Sequence, residues 1–498
     1  MAPQALVALA LLAGCGDDSR SAPAPEVVSA PTAEDRRGMD VVILLVDTLR
    51  ADFTSLVDRE DERDPTPFLR ELSEDAVVFE HAYSAGPWTL PSVASLVTGL
   101  HVAAHGIVDH DDRLRSSTPT LAAGLAANGF QTGAHYKNPF AGPLAGLDRG
   151  YESSVHCPNQ PGAEQIREWI SELEPGLPMF LYVHTTEPHD PQRLPALSGP
   201  DASSESVELC RWYDRQMKFF RAIARQSYQD NWSGPPVDFA EEQQKFLDRL
   251  IDRQADIYSL YELSVNEADR RLRSIVDAIR ERGRWDQTLL VVVADHGDEF
   301  GEHGAWQHDH SLYEEMVHVP MLIRFPDGQF GGTRIKEASS IVDIAPTVIG
   351  YLGISGPSLQ GLDELEGRDW FKDLTAGDAE QVLTRVVSTR LNTSKRLHVA
   401  LKARGDRNLA LRSGPWKAIW NQDLGTLELY NIQADPGERS DVATDHPDLT
   451  ARLSEVAKRR WNELRAVAAR STEEGAGLQG ISPQELQSLK VLGYVDED

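Results

Sequence analysis

Four short, largely apolar runs constrain this chain more than any other feature. They are VVILLV at 41–46, FLYV at 180–183, LLVVVA at 289–294 and VPMLIRF at 319–325. Each has strand length, and the runs lack the alternating polar positions of a half-solvated strand, so they read as parallel strands buried on both faces. Helical periods lie between them. One is 92–98, closed by Gly99. Another is 256–282, with Ile257, Leu260, Leu263, Ala268, Leu272, Ile275 and Ile279 near one face. Strand and helix alternation predicts an α/β chain with a large, mostly parallel sheet sandwiched by helices. Beyond Trp370 the pieces shorten. Strand-like stretches at 397–402, 410–412, 416–420 and 427–430 precede a helix at 447–467. These predict a smaller C-terminal antiparallel sheet plus helix.

A chain of 498 residues exceeds one ordinary domain. The expected division is a catalytic domain over 39–375 and a C-terminal subdomain over 376–498. Residues 190–255, polar and then charged, read as an insertion over one rim. The net charge of −29 has no compensating basic block, which argues against a nucleic-acid partner. The three cysteines, Cys15, Cys157 and Cys210, are too few for a disulfide scaffold and lack zinc-finger spacing.

The N-terminus accounts for one cysteine. ALVALALLA at 5–13 is too short to span a bilayer and runs into LAGC, ending at Cys15. Residues 1–15 resemble a lipoprotein signal peptide that leaves Cys15 lipidated at the membrane, although MAPQ offers no Lys or Arg ahead of the apolar run. The alternative is an ordinary secretory segment with an incidental cysteine. Residues 16–38 read as a flexible tether. The expected location is the cell envelope, lipid-anchored, on the periplasmic or extracellular side. Cys157 and Cys210 either pair there or stand as two separate thiols.

Polar residues gather where open α/β sheets bind ligands, at the carboxyl ends of strands. Asp47 follows the first run, His184 and His189 the second, and Asp295 with His296 the third. One such Asp is commonly a turn or cap residue. Three strand ends carrying Asp or His point to a site. In WTLPSVASLVTG at 88–99, Pro91 suits a first helical turn and puts Thr89 at the helix N-terminus. Thr89 is there either a simple N-cap or a hydroxyl in the positive field of the helix, suited to hold an oxyanion.

On these residues the chain resembles the sulfatase family, within the alkaline phosphatase-like superfamily. The motifs in order are VILLVDTLR (42–50), TLPSVASLVTG (89–99), FLYVHTTEPHDP (180–191), DHGDEFGEHG (295–304), LYEE (312–315) with VPMLI (319–323), VDIAPT (342–347), and ELY (428–430) with DPGE (435–438). The resemblance implies a divalent metal on Asp47, Asp295 and His296, completed by the Thr89 oxygen. It implies catalytic roles for Thr89 as nucleophile and for His308 and His189 at the leaving and entering oxygens. Lys137, Asn138 and His184 are its candidates for substrate binding. His303, His310 and Asp190 are second-tier candidates, for which hydrogen-bonding or packing roles fit as well.

The departures from the family pattern carry chemistry. Sulfatases place Cys or Ser, oxidised to formylglycine, in a Cys/Ser-x-Pro-x-Arg motif. Here the aligned residues are Thr89, Pro91 and Val93. Threonine cannot give an aldehyde without loss of its methyl group, so formylglycine chemistry is not expected. The metal site has Thr48 where a paired Asp would stand and His296 in place of a common Asn. Fewer carboxylates and an added imidazole favour Zn²⁺ or Mn²⁺ over Ca²⁺ or Mg²⁺. The expected activity is cleavage of sulfate or phosphate esters through a covalent Thr89 ester. Two other readings stand beside it: a phosphotransferase that modifies an envelope lipid or glycan, and a non-catalytic binding protein on the same fold. The N-terminal reading predicts that Cys15→Ser abolishes incorporation of a labelled fatty acid and moves the protein from the membrane to the soluble fraction.

Overall fold

The computed structural model describes residues 32–57, 63–109, 112–193, 203–228, 239–355, 366–376, 385–391, 407–474 and 482–492. The expected signal peptide with Cys15, most of the tether and the strand-like piece at 397–402 lie outside the described residues. Among the described residues no helix is long and apolar enough to cross a membrane.

The apolar runs form the centre of an eight-stranded sheet. In chain order its strands are β1 (Asp40–Val46), β2 (Val77–Phe79), β3 (Gln131–Tyr136), β4 (Ser153–His156), β5 (Met179–Thr185), β6 (Thr288–Ala294), β7 (Met321–Arg324) and β8 (Arg334–Ile335). In space the order is β8-β2-β7-β6-β1-β5-β3-β4. Every residue of β1, β5 and β6 is buried, as uninterrupted apolar runs require. β1 pairs in parallel with both β5 and β6, in a register that sets Val46 beside Thr185 and Ala294. The polar residues after these three strands therefore emerge side by side at one sheet edge.

One expectation about direction is corrected. The run at 319–325 reads like the other parallel strands, yet β7 is antiparallel to both its neighbours, β6 and β2. Residues 295–320 loop out at the carboxyl edge and return beside β6 without a crossover, and such a return is antiparallel.

The helices around this sheet are α1 (Pro67–Ser73), α2 (Thr89–Thr98), α3 (Ala163–Glu172), α4 (Ser204–Tyr228), α5 (Phe239–Ile251), α6 (Gln254–Arg280) and α7 (Ile344–Leu352), with α4 packed on α5 and α6. Gly99 ends α2 in the left-handed region at φ 67°, a helix terminator open to glycine. On α6 the buried stripe runs through Ile257, Tyr261, Val265, Ala268 and Leu272, whereas Leu263 faces solvent at 44% exposure. α4 and α5 occupy the stretch read as an insertion.

The C-terminal region forms a four-stranded antiparallel sheet of β9 (Arg385–Leu391), β10 (Arg407–Ser413), β11 (Trp416–Asn421) and β12 (Thr426–Asn431), followed by α8 (Pro447–Ser471). Its residues Leu409, Leu411 and Trp420 share one apolar cluster with β1 and β6. A polar clamp joins the same parts. Lys417, fully buried on β11, lies 2.8 Å from Glu314 and 3.0 Å from Glu438. Glu314 belongs to the loop that returns from β6. Cys157 and Cys210 are both buried free thiols.

The start of α1 shows how distant elements satisfy each other. Thr66 precedes α1 without making a side-chain cap. Asp269 on α6 replaces it, accepting from the Phe68 N–H at 2.9 Å and the Leu69 N–H at 3.0 Å. Asp269→Ala leaves two buried donors unsatisfied and is expected to cost about 1–3 kcal/mol. A denaturant titration should show the lower midpoint.

Candidate active site

β1 delivers Asp47, and the chain then turns sharply. Thr48 takes φ 62°, a left-handed conformation uncommon for threonine. Three contacts hold it there. Its N–H donates to Asp295 Oδ1 at 3.1 Å, and its hydroxyl donates to Asp47 Oδ1 at 2.7 Å. The Tyr261 hydroxyl donates to the Thr48 carbonyl at 2.5 Å and accepts from the Arg50 N–H at 3.0 Å. One buried tyrosine on α6 thus pins the turn that separates the two acids.

Asp295 directly follows β6. Its Oδ1 also accepts from the His296 N–H at 2.9 Å, while its Oδ2 accepts no hydrogen bond although it is buried. The His296 Nδ1–H donates to the Gly297 carbonyl at 2.8 Å, which turns Nε2 inward. Nε2 lies 3.4 Å from Asp47 Oδ1 and 3.7 Å from Asp295 Oδ2. Gly297 is needed here, because a Cβ would fall 2.1 Å from the Glu315 carbonyl oxygen. Burial, and then Asp47, push the Asp295 carboxyl up to about 6. Burial also opposes ionisation of Asp47, but His189, His184 and His296 hold it well below the usual range. His296 is raised to about 9 against its burial by the two aspartates.

Thr89 is the first residue of α2, after an extended Trp88 at the N-cap whose side chain makes no cap. Its Oγ1 faces Asp47 Oδ2 at 3.5 Å, His296 Nε2 at 3.4 Å and Asn138 Nδ2 at 3.4 Å. Ser92 on the next turn donates to the Gly86 carbonyl at 2.8 Å and lies 2.9 Å from Ser84 Oγ, which in turn contacts the Asp295 carbonyl. The first turn of α2 is thereby stitched to the strand end that carries Asp295.

The substrate candidates separate. Asn138 enters the site, donating to Asp47 Oδ2 at 3.1 Å. Lys137 turns the other way, to the Pro158 carbonyl and to Ser488. Adjacent residues leaving a strand face opposite sides, so only one of the pair reaches the acids. His184 lies deeper than a rim position. Asp47, His184 and Asp295 each offer one buried ligand atom, and these atoms all lie within 4.8 Å of one another. With Asp295 Oδ2 open, two carboxylates, an imidazole lone pair and a hydroxyl converge, and this donor set fits a divalent cation.

His308 is presented by a loop that Glu299 organises by accepting from the His303 and Ala305 N–H groups at 2.9 and 2.7 Å. Gln307 and Asp309, on either side of it, both have positive φ, 67° and 76°. His308 Nδ1 pairs with Asp298 at 2.9 Å, and its ring centre lies 4.6 Å from that of His296 and 5.2 Å from that of His189. Burial, with His296 and His189 nearby, lowers its pKa well below the ordinary value. His189 moves up against its burial because Asp47 and Asp190 face it. His303 and His310 hold the loop: His303 meets Glu315 at 2.6 Å and His310 meets Glu299 at 2.8 Å. Asp190 lies 3.5 Å from His189. Sequence reading missed Asp298 and Tyr261. Asp298 was detectable three residues after Asp295, whereas Tyr261 carries no signal distinct from core packing.

A hydroxyl at a helix N-terminus, set against acids and an imidazole at the carboxyl edge of a mostly parallel sheet, defines an alkaline phosphatase-like hydrolase. Residues 39–354 match the family model Sulfatase, and residues 301–467 match the model "N-sulphoglucosamine sulphohydrolase, C-terminal". The chain belongs to the sulfatase family of sulfuric ester hydrolases. It is 22% identical to arylsulfatase K of Mus musculus, covering 78% of this chain and 73% of that protein. It is likewise 22% identical to an arylsulfatase of Clostridium perfringens, covering 87% and 94%. Among solved structures, the phosphonate monoester hydrolase of Agrobacterium radiobacter superposes with TM-score 0.61 at 20% identity, covering 88% of this chain and 99% of that one.

Tyr261→Phe removes the partner of both Thr48 C=O and Arg50 N–H. The expected loss is about 1–3 kcal/mol of stability. Thermal unfolding combined with metal analysis should show a lower Tm and reduced metal retention together.

Proposed function

We propose that the chain is a metal-dependent hydrolase of sulfate or phosphate esters whose nucleophile is the unmodified hydroxyl of Thr89. The observation that carries this reading is the position of Thr89 Oγ1, buried at the start of α2 and within 3.5 Å of Asp47, His296 and Asn138. The N-cap position itself belongs to Trp88, so Thr89 lies one residue inside the helix. A divalent ion held by Asp47, Asp295, His296 and Thr89 would supply Lewis acidity, easing loss of the hydroxyl proton and neutralising the tetrahedral group.

The chain's own residues do the rest. The N-terminal N–H groups of α2 favour the anionic group being attacked. Thr89 Oγ1 gives up its proton to solvent and forms a bond to sulfur or phosphorus, and the leaving oxygen takes a proton from the imidazolium of His189 or His308 as its bond breaks. His308, its ring centre 4.6 Å from that of His296, and His189, 5.2 Å from His308, serve the leaving oxygen in this step and the entering water in the next. Water then attacks the covalent Thr89 ester, the oxyanion is released and Thr89 regains its proton. Asn138 orients the acceptor oxygens. No oxidised side chain is needed, in keeping with Thr89 and Val93 at the positions where the family has Cys or Ser and Arg. The phosphonate monoester hydrolase likeness supports testing phosphorus esters beside sulfate esters.

The test is a panel of nitrophenyl sulfate, phosphate, phosphodiester and phosphonate with defined metals. Thr89→Ala is expected to lower kcat by about 10³–10⁶-fold on the preferred ester, with an unchanged circular dichroism spectrum. Thr89→Ser should recover a measurable part of it. Undiminished turnover by Thr89→Ala would sink this reading.

A further inference from the structure

We propose that His184 is itself a ligand of the metal ion, and that it turns the site toward Zn²⁺ and away from Ca²⁺. This rests on the reading that the site holds a divalent ion, and it adds a ligand outside the set of Asp47, Asp295, His296 and Thr89. Strand pairing places His184: β5 lies parallel to β1 with Leu45 opposite His184, so the imidazole rises beside Asp47. The side chain is fully buried, with Nε2 3.4 Å from Asp47 Oδ2. Neither ring nitrogen has a hydrogen-bond partner.

A buried polar group without a partner is costly, about 1–3 kcal/mol. Asp295 Oδ2 is in the same condition, and Asp47, His184 and Asp295 form one compact group. One cation resolves both deficits. The donor set then counts two carboxylates and two imidazoles. Calcium takes six to eight oxygen ligands, whereas imidazole suits zinc-like ions. The competing role for His184 is an ion pair, an imidazolium against Asp47. The two roles differ in one respect: an ion pair stabilises the protein with or without metal, whereas a ligand acts only when metal is bound.

The experiment uses chelator-stripped enzyme reloaded with Zn²⁺ or Ca²⁺, with affinity read by competition against a chromogenic chelator. For His184→Ala the expected result is a Zn²⁺ affinity lower by more than about 10-fold. Ca²⁺ affinity should hold, and added imidazole should restore Zn²⁺ binding. The Zn²⁺-induced rise in Tm should shrink, while the stripped variant unfolds near the stripped wild type. Unchanged Zn²⁺ affinity, with an equal fall in Tm in stripped and loaded protein, marks an ion pair and overturns the proposal. Should the variant fail to fold, Co²⁺-substituted wild type decides by NMR. Two metal-shifted exchangeable imidazole N–H signals support His184 beside His296, and a single one refutes it. No readout needs substrate, so absent turnover in the wild type would sink the hydrolase reading and leave the metal result standing.

Discussion

Two aspartates that cannot comfortably share their surroundings organise this molecule. Asp47 and Asp295 follow neighbouring parallel strands whose last residues, Val46 and Ala294, are paired in register, and both are fully excluded from water. Like charges brought together at low dielectric repel strongly and are tolerated only with compensation. The sheet register enforces the approach, and His296 Nε2 stands 3.4 Å from Asp47 and 3.7 Å from Asp295. A divalent cation between Asp47, His184 and Asp295, whose ligand atoms lie within 4.8 Å of one another, would balance the two carboxylates. The architecture therefore creates an electrostatic demand, and the chemistry of the site follows from meeting it.

The scaffold around the acids is correspondingly rigid. Thr48 and the residues on both sides of His308 hold backbone conformations that their side chains disfavour, and each is fixed by contacts from elsewhere. Tyr261 fixes the first from α6, and Asp309 N–H donates to the Pro87 carbonyl at 3.0 Å just ahead of α2. Such conformations persist where surrounding structure over-determines them. Trp306, in the same loop as His308, donates from Nε1 to the Tyr213 hydroxyl on α4 at 3.0 Å. The stretch between β5 and α6 thus bears directly on the loop that presents a catalytic candidate.

Much of this was legible before any coordinates. Strands buried on both faces have no polar alternation to hide them, so 41–46, 180–183 and 289–294 declared themselves. So did the acids and imidazoles at their ends, because polar residues after such runs have few other reasons to cluster. The direction of β7 was not legible, since an apolar run looks the same either way and only the route of 295–320 decides it. Thr48 carried no mark of its left-handed backbone, and Tyr261 was hidden within an apolar stripe. Lys137 and Asn138 were treated as equals, although strand alternation alone assigns them to opposite sides. The family motifs made His184 a substrate candidate; its depth and lack of partners are facts of packing that spacing does not encode.

The C-terminal sheet grips α2 from both ends. The Thr389 N–H on β9 donates to the Ala85 carbonyl at 2.8 Å, and the Ala103 N–H donates to Thr389 Oγ1 at 3.3 Å, so a single residue bridges the stretches that precede and follow α2. With Lys417 tying β11 to the loop returning from β6, neither half of the polypeptide finishes the reaction centre by itself. Exchange of C-terminal halves between relatives would therefore be a catalytic intervention as much as an architectural one, and a nascent chain gains a competent centre only after its last third has been synthesised and docked.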